Sequence, residues 1–294
     1  MVVEKIIALA QRGQWPNKMW SNEQMEFDLT GSGSSLYWAT VRMKINGVKG
    51  VYVLDTGGKA IVTKHTVDEH DCTIPSRIEY GSGTVIGCKV KGLVQLTKDL
   101  ALDTRVLHRV SKFPFRAGVD GIFGLLPSKL TEKNGIRSAE IDFTTRTVKF
   151  NLPPTYAKSI CVNNFHHPTF KNKLWFFGNL RAFDVNGQAF FKKDVYFMLD
   201  TGATKALTFF NQSFKELEQC KDNPKLMRLE IQVPGNVIHL RLPVNSNWPV
   251  CLPSENDSIN FAILGIQALN SLKSIHFEYS TDGSKITRLC IAQH

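Results

Sequence analysis

The sequence has no run of about 18 apolar residues, the least that a membrane-crossing helix needs, so nothing in it reads as a transmembrane span. Its opening stretch, MVVEKIIALAQRG, carries Glu4 and Lys5 inside its apolar segment, which is too short and too charged for the core of a secretory leader. No signal peptide is read there. That favours the cytoplasm, or a secreted protein if the chain begins after a leader. Cysteine is sparse: Cys72, Cys88, Cys161, Cys220, Cys251 and Cys290 are scattered without the density of a disulfide scaffold or the paired spacing of a zinc site. They read as reduced, mostly buried thiols. Asn211-Gln212-Ser213 and Asn256-Asp257-Ser258 are glycosylation-type triplets, which matter only in a secreted chain and arise often by chance.

Acidic charge is in deficit, with 36 Lys and Arg against 26 Asp and Glu, a net +10. Such a balance favours acidic partners, but the excess is dispersed apart from small clusters at 89–92 and 181–194. No RNP-like, zinc-finger or basic-helix pattern accompanies it, so a nucleic-acid partner rests on net charge alone and is not expected. Residues 65–72, HTVDEHDC, gather possible metal ligands. Yet His65 and His70 fit neither the helical i, i+4 pair nor a finger spacing, and the stretch reads as a polar surface loop. His166-His167 before Pro168 reads as a loop too.

What the sequence does have is a repeat. Residues 53–63, VLDTGGKAIVT, and 198–208, MLDTGATKALT, each run an apolar strand into Asp-Thr-Gly and then turn apolar again. Each is preceded by β-rich runs around Asn-Gly, at Asn46-Gly47 and Asn186-Gly187, the strongest short-range hairpin signal. Each is followed by two apolar residues and a glycine opening a short helix-like segment, in GIFGLLPSKL (121–130) and AILGIQALNSL (262–272). Hairpin patterns at 140–150 and 275–292 close the two copies. The order implies an all-β chain of two lobes, 26–153 and 154–294, with the prolines of 151–159 as connector. Residues 1–25 form an N-terminal strand and helix or a pro-segment. With 43% hydrophobic residues in 294, such a chain can bury a sizeable core.

The repeat accounts for an acidic residue at the end of so apolar a strand. An isolated ionised carboxylate costs several kcal/mol to bury. Two carboxylates meeting across a symmetric interface can share a proton instead, since like charges about 3 Å apart do not both ionise easily. One then serves as acid and the other as base, which is what water attack on an amide requires.

With Asp55-Thr56-Gly57 and Asp200-Thr201-Gly202 in one chain, each trailed by its apolar-apolar-Gly (Ile122-Phe123-Gly124 and Ile263-Leu264-Gly265), the sequence resembles the pepsin-like aspartic proteases over most of residues 26–292. The resemblance implies a bilobal fold with a central cleft and an aspartic endopeptidase in which Asp55 and Asp200 activate a water. It also implies that Thr56 and Thr201 bond across the lobes, that Gly57 and Gly202 permit tight turns, and that Gly58 and Ala203 border the site. Residues 77–87, RIEYGSGTVIG, resemble the glycine-tipped flap that closes over substrate, with Tyr80, Gly81 and Ser82 facing it. A monomer acting on peptide or protein substrates, with apolar residues flanking the scissile bond, follows from the same resemblance, and no metal or organic cofactor is implied because the dyad and water suffice.

The chain also departs from that family. Its usual Ser or Thr after Asp-Thr-Gly is here Gly58 or Ala203, and losing a donor to the charged form raises a carboxyl pKa, which predicts a mildly acidic to neutral optimum. Lys59 and Lys205 would act oppositely if they pointed inward. The family's tryptophan falls at Val62, leaving Tyr80 without its usual partner, and the Asp that follows the second apolar-apolar-Gly is Ile266. An inactive relative that keeps the cleft and binds peptides or a protein partner is the alternative reading.

Overall fold

The computed structural model describes residues 24–30, 38–80, 83–110, 115, 118–164, 176–184, 186–211, 227–242, 250–253 and 260–294. Residues 1–23, Gly81 and Ser82, His166 and His167, and most of both glycosylation-type triplets lie outside them.

The first half runs β1 (Gln24–Thr30), β2 (Trp38–Ile45), β3 (Val48–Asp55), β4 (Ile61–Thr66), β5 (Pro75–Tyr80), β6 (Gly83–Gln95), β7 (Ala101–Arg109), β8 (Gly121–Gly124), a short helix α1 (Lys129–Lys133), β9 (Ser138–Asp142) and β10 (Thr147–Phe150). The second half runs β11 (Ile160–Asn163), β12 (Phe176–Phe183), β13 (Ala189–Asp200), β14 (Leu207–Asn211), β15 (Arg228–Val233), β16 (Asn236–Arg241), β17 (Val250–Pro253), β18 (Phe261–Gly265), α2 (Ile266–Leu269), β19 (Leu272–Tyr279) and β20 (Ile286–Gln293). This is the all-β, two-lobed architecture that the duplicated sequence predicts.

Local chemistry sets the hairpins. Asn46 and Gly47 both take positive φ, 50° and 85°, the backbone that a two-residue turn between twisted strands demands. At the matching turn in the second half, the Asp184 carboxylate accepts from the backbone N–H groups of Asn186 and Gln188, each at 2.9 Å.

Strand pairing repeats the duplication. β3 lies parallel to β8, β8 antiparallel to β4, and β4 parallel to β7. In the second half β13 lies parallel to β18, β18 antiparallel to β14, and β14 parallel to β17. A platform joins the halves in the order β1, β10, β9, β19, β20, β11. Its central pair, β9 and β19, sets Ile141 opposite Ile275 and Ala139 opposite Phe277, all fully buried. These side chains belong to one apolar cluster that runs through both halves, so the lobes share a core rather than touch at a surface.

For four of the six cysteines the structure corrects the expectation of reduced thiols; Cys220 and the side chain of Cys251 lie outside what it describes. Cys161 and Cys290 stand directly opposite on β11 and β20 and form a disulfide, and Cys72 bonds Cys88. Strand register sets the first at a Cα separation of 4.0 Å across 129 positions, whereas Cys72, just after the Glu69–Asp71 turn, lies 5.4 Å from Cys88 on β6, 16 positions away. Such bonds form and persist in oxidising surroundings. The polar stretch 65–72 is a surface feature as expected: a short turn at Glu69–Asp71, capped by the Asp68 carboxylate on the His70 N–H at 3.0 Å, with no residue of the turn buried.

Candidate active site

Asp55 is the last residue of β3 and Asp200 the last of β13. In parallel register they lie beside Gly124 and Gly265, the glycines of the two apolar-apolar-Gly segments. Those glycines are required by close approach. A Cβ on Gly124 would stand 2.5 Å from the carbonyl oxygen of Gly58, and one on Gly265 would stand 2.5 Å from that of Ala203. The following backbone pins each loop: Leu126 N–H donates to the Gly58 carbonyl and Ile266 N–H to the Ala203 carbonyl, both at 2.8 Å.

Two threonines lock the loops together. Thr56 N–H donates to the Thr201 hydroxyl at 3.1 Å, and Thr201 N–H donates to the Thr56 hydroxyl at 3.0 Å. Thr56 Oγ1 donates onward to the Leu199 carbonyl at 2.7 Å, and Thr201 Oγ1 to the Leu54 carbonyl at 2.6 Å. Both side chains are buried, so these bonds form in a medium that strengthens them.

The carboxyls face each other across this knot. Asp55 Oδ1 accepts from Gly57 N–H and Asp200 Oδ1 from Gly202 N–H, each at 2.8 Å. A Cβ on Gly57 would lie 2.7 Å from Asp200 Cγ, and one on Gly202 would lie 2.7 Å from Asp55 Cγ. Each glycine thus lets its backbone rest against the opposite carboxyl. Burial raises the Asp55 pKa well above the ordinary carboxylate value, and the Asp200 charge and a hydrogen bond between the two side chains raise it further. Burial also raises Asp200, while the bond from Asp55 and the N–H groups of Gly202, Ala203 and Gly57 work in the opposite direction. Both carboxyls are thus raised, Asp55 the more strongly, and a pair so placed can share one proton, with Asp200 the more exposed of the two.

Burial is the largest cause of the raised Asp55 pKa, and the backbone N–H groups of Gly57 and Gly58 work against it. A Cβ at Gly58 would collide with Asp55 Oδ2, so a serine there would have to displace the carboxyl. Ala203 is half-buried. Lys59 and Lys205 are exposed, and Ile266 is wholly buried in the core.

In the flap region β5 and β6 pair as a hairpin with Tyr80 opposite Gly83. The sequence leaves Tyr80 without an aromatic partner. In the structure it packs against a small aliphatic cluster built on Val62, Val85 and Leu107. Burial pushes the Tyr80 phenol up, and the charge of Asp55 adds to the shift, which ties this side chain electrostatically to the dyad. Sequence reasoning missed the carbonyls of Leu54 and Leu199 that the threonines use; the shared Leu-Asp-Thr triplet is the one sign of them.

Compared with solved structures, the chain is similar to the crystal structure of an aspartic proteinase from Irpex lacteus, with a TM-score of 0.66 over 92% of this chain and 97% of that one, at 15% sequence identity. No family model and no curated protein matches the sequence. The fold is thus that of a bilobal pepsin-like aspartic proteinase, at a sequence identity that shows the fold alone.

Proposed function

We propose that the chain is an aspartic endopeptidase that hydrolyses peptide bonds in the cleft between its lobes. The observation that carries this reading is a pair of carboxyls contributed by the two repeats and set against each other across the reciprocal threonine bonds, both with raised pKa and hydrogen-bonded to one another. Asp200 takes a proton from water as the water oxygen attacks the scissile carbonyl carbon, while Asp55 donates its proton to the carbonyl oxygen. On collapse the C–N bond breaks, Asp200 gives its proton to the leaving amine nitrogen and Asp55 takes one from a hydroxyl of the tetrahedral intermediate, which leaves as the carboxylic acid and returns the pair to its starting state. Tyr80, on the flap, covers the bound peptide. No metal or organic cofactor enters these steps, and a single copy of the chain supplies both carboxyls.

The test is digestion of a diverse peptide pool from about pH 3 to pH 8, with and without a statine-type inhibitor, which mimics the tetrahedral intermediate. Inhibitor-sensitive cleavage that disappears in Asp55→Asn supports the proposal. Peptide binding without turnover in the wild-type protein would instead favour a binding protein on the same fold.

A further inference from the structure

We propose that the Cys72–Cys88 disulfide holds the flap strand in place over the dyad, so that substrate capture depends on the oxidation state of this bond; the inference rests on the proteolytic reading of the site. The two half-cystines bracket the β5–β6 hairpin, because β5 and the first residues of β6 lie between them in the chain. β5 is an edge strand that pairs with β6 alone among the described residues. Its apolar anchorage is slight: Ile78 and Tyr80 pack on the small cluster of Val62, Val85 and Leu107, which is separate from the main core. On the far side of Cys72 the chain is an exposed turn with no buried residue. Cys88, by contrast, is 1% exposed and fixed opposite His108 on β7. The disulfide therefore fastens a weakly held segment to a firmly held strand, at the base of the hairpin that carries Tyr80.

Elements with few buried contacts open most readily, and a crosslink across their base removes most of the open conformations. The half-buried Cys72 is the sulfur that a reductant reaches first. A dithiol reductant attacks as thiolate at Cys72 Sγ, the S–S bond breaks, and Cys88 leaves as thiolate. The second thiol of the reductant then displaces Cys72, giving two protein thiols and a cyclic disulfide, with two electrons supplied by the dithiol. The other disulfide, Cys161–Cys290, joins two strands already laddered in the platform, so its loss leaves the flap unaffected.

The experiment compares the wild-type protein with Cys72→Ser and with Cys72→Ala/Cys88→Ala, both keeping the second disulfide. Backbone hydrogen exchange in residues 75–88 should quicken on the order of 100-fold in the variants, while residues 53–57 and 198–202 stay as in the wild type. KM for a peptide should rise roughly tenfold with kcat nearly unchanged, and dithiol treatment of the wild type should reproduce the shift until reoxidation reverses it. Exchange that is unaltered in both variants, or that quickens through the whole first lobe, overturns the inference. A wild-type protein that cleaves no peptide defeats the proposed function instead, and the exchange comparison still decides what the disulfide does.

Discussion

Thr56 and Thr201 are mutual partners: the backbone N–H of each donates to the hydroxyl of the other, at 3.1 and 3.0 Å, and each hydroxyl donates to the carbonyl that precedes the opposite aspartate. The threonines thereby fix the separation of two carboxyls that belong to residues 145 positions apart. Thr56→Val removes the acceptor for Thr201 N–H and the donor to Leu199 O, leaving two buried backbone groups unpaired at about 1–3 kcal/mol each. Thr56→Ser keeps the hydroxyl and is the control. Thermal unfolding of Thr56→Val, Thr201→Val and the double variant should show a coupling of about 0.5–3 kcal/mol, because loosening one loop relieves the other. Additive losses would mean that each threonine serves its own lobe alone.

Gly57 and Gly202 test the same geometry from the side of the carboxyls. A methyl at position 202 would stand 2.7 Å from Asp55 Cγ and 3.1 Å from Asp200 Oδ1, so Gly202→Ala must push the acids apart. Misplacement of about 1 Å costs on the order of 100-fold in rate, and overpacking costs about 1–3 kcal/mol in stability. Rate and melting temperature should fall together. Because separation weakens the repulsion that helps raise Asp55, the alkaline limb of the pH–rate profile should also move to lower pH.

The wild-type profile has its own expected shape. Activity needs the singly protonated pair, and both carboxyls are raised above the ordinary value, so both limbs of the bell lie above those of unperturbed aspartates. Hydrolysis should persist into mildly acidic to neutral pH. An optimum near pH 2, measured as kcat/KM on one peptide, would contradict this shift.

Much of this was legible in the sequence, because the repeat and the period-two pattern are local signals. Asp-Thr-Gly, the Asn-Gly turns and the apolar-apolar-Gly segments each act within a few residues, and they placed β3, β8, β13 and β18 together with both carboxyls. What stayed hidden depends on register between distant strands. Nothing local announces that Cys161 faces Cys290, or that β9 pairs with β19 to join the halves. The same register sets Glu140 opposite His276, both buried, on the face of the platform away from Ile141 and Ile275. The surroundings of Tyr80 were hidden for a related reason: the sequence shows which aromatic residue is absent, whereas the structure shows that Val62, Val85 and Leu107 pack there instead.

Asp55→Asn separates catalysis from stability. Its rate should fall about 10³-fold, since the amide offers no proton to the carbonyl oxygen. Its stability should move the other way. The folded pKa of Asp55 is raised above its unfolded value, so the contribution of this carboxyl to stability is fully present below the unfolded value, near pH 4, and is lost as pH rises through the folded value. Asparagine does not titrate and keeps its contribution throughout. The melting temperature of the variant relative to the wild type should therefore increase steadily from about pH 4 toward neutrality. Paired melting curves across that range are the measurement, and a difference that does not vary with pH would show that Asp55 ionises in the folded protein as it would in an unfolded chain.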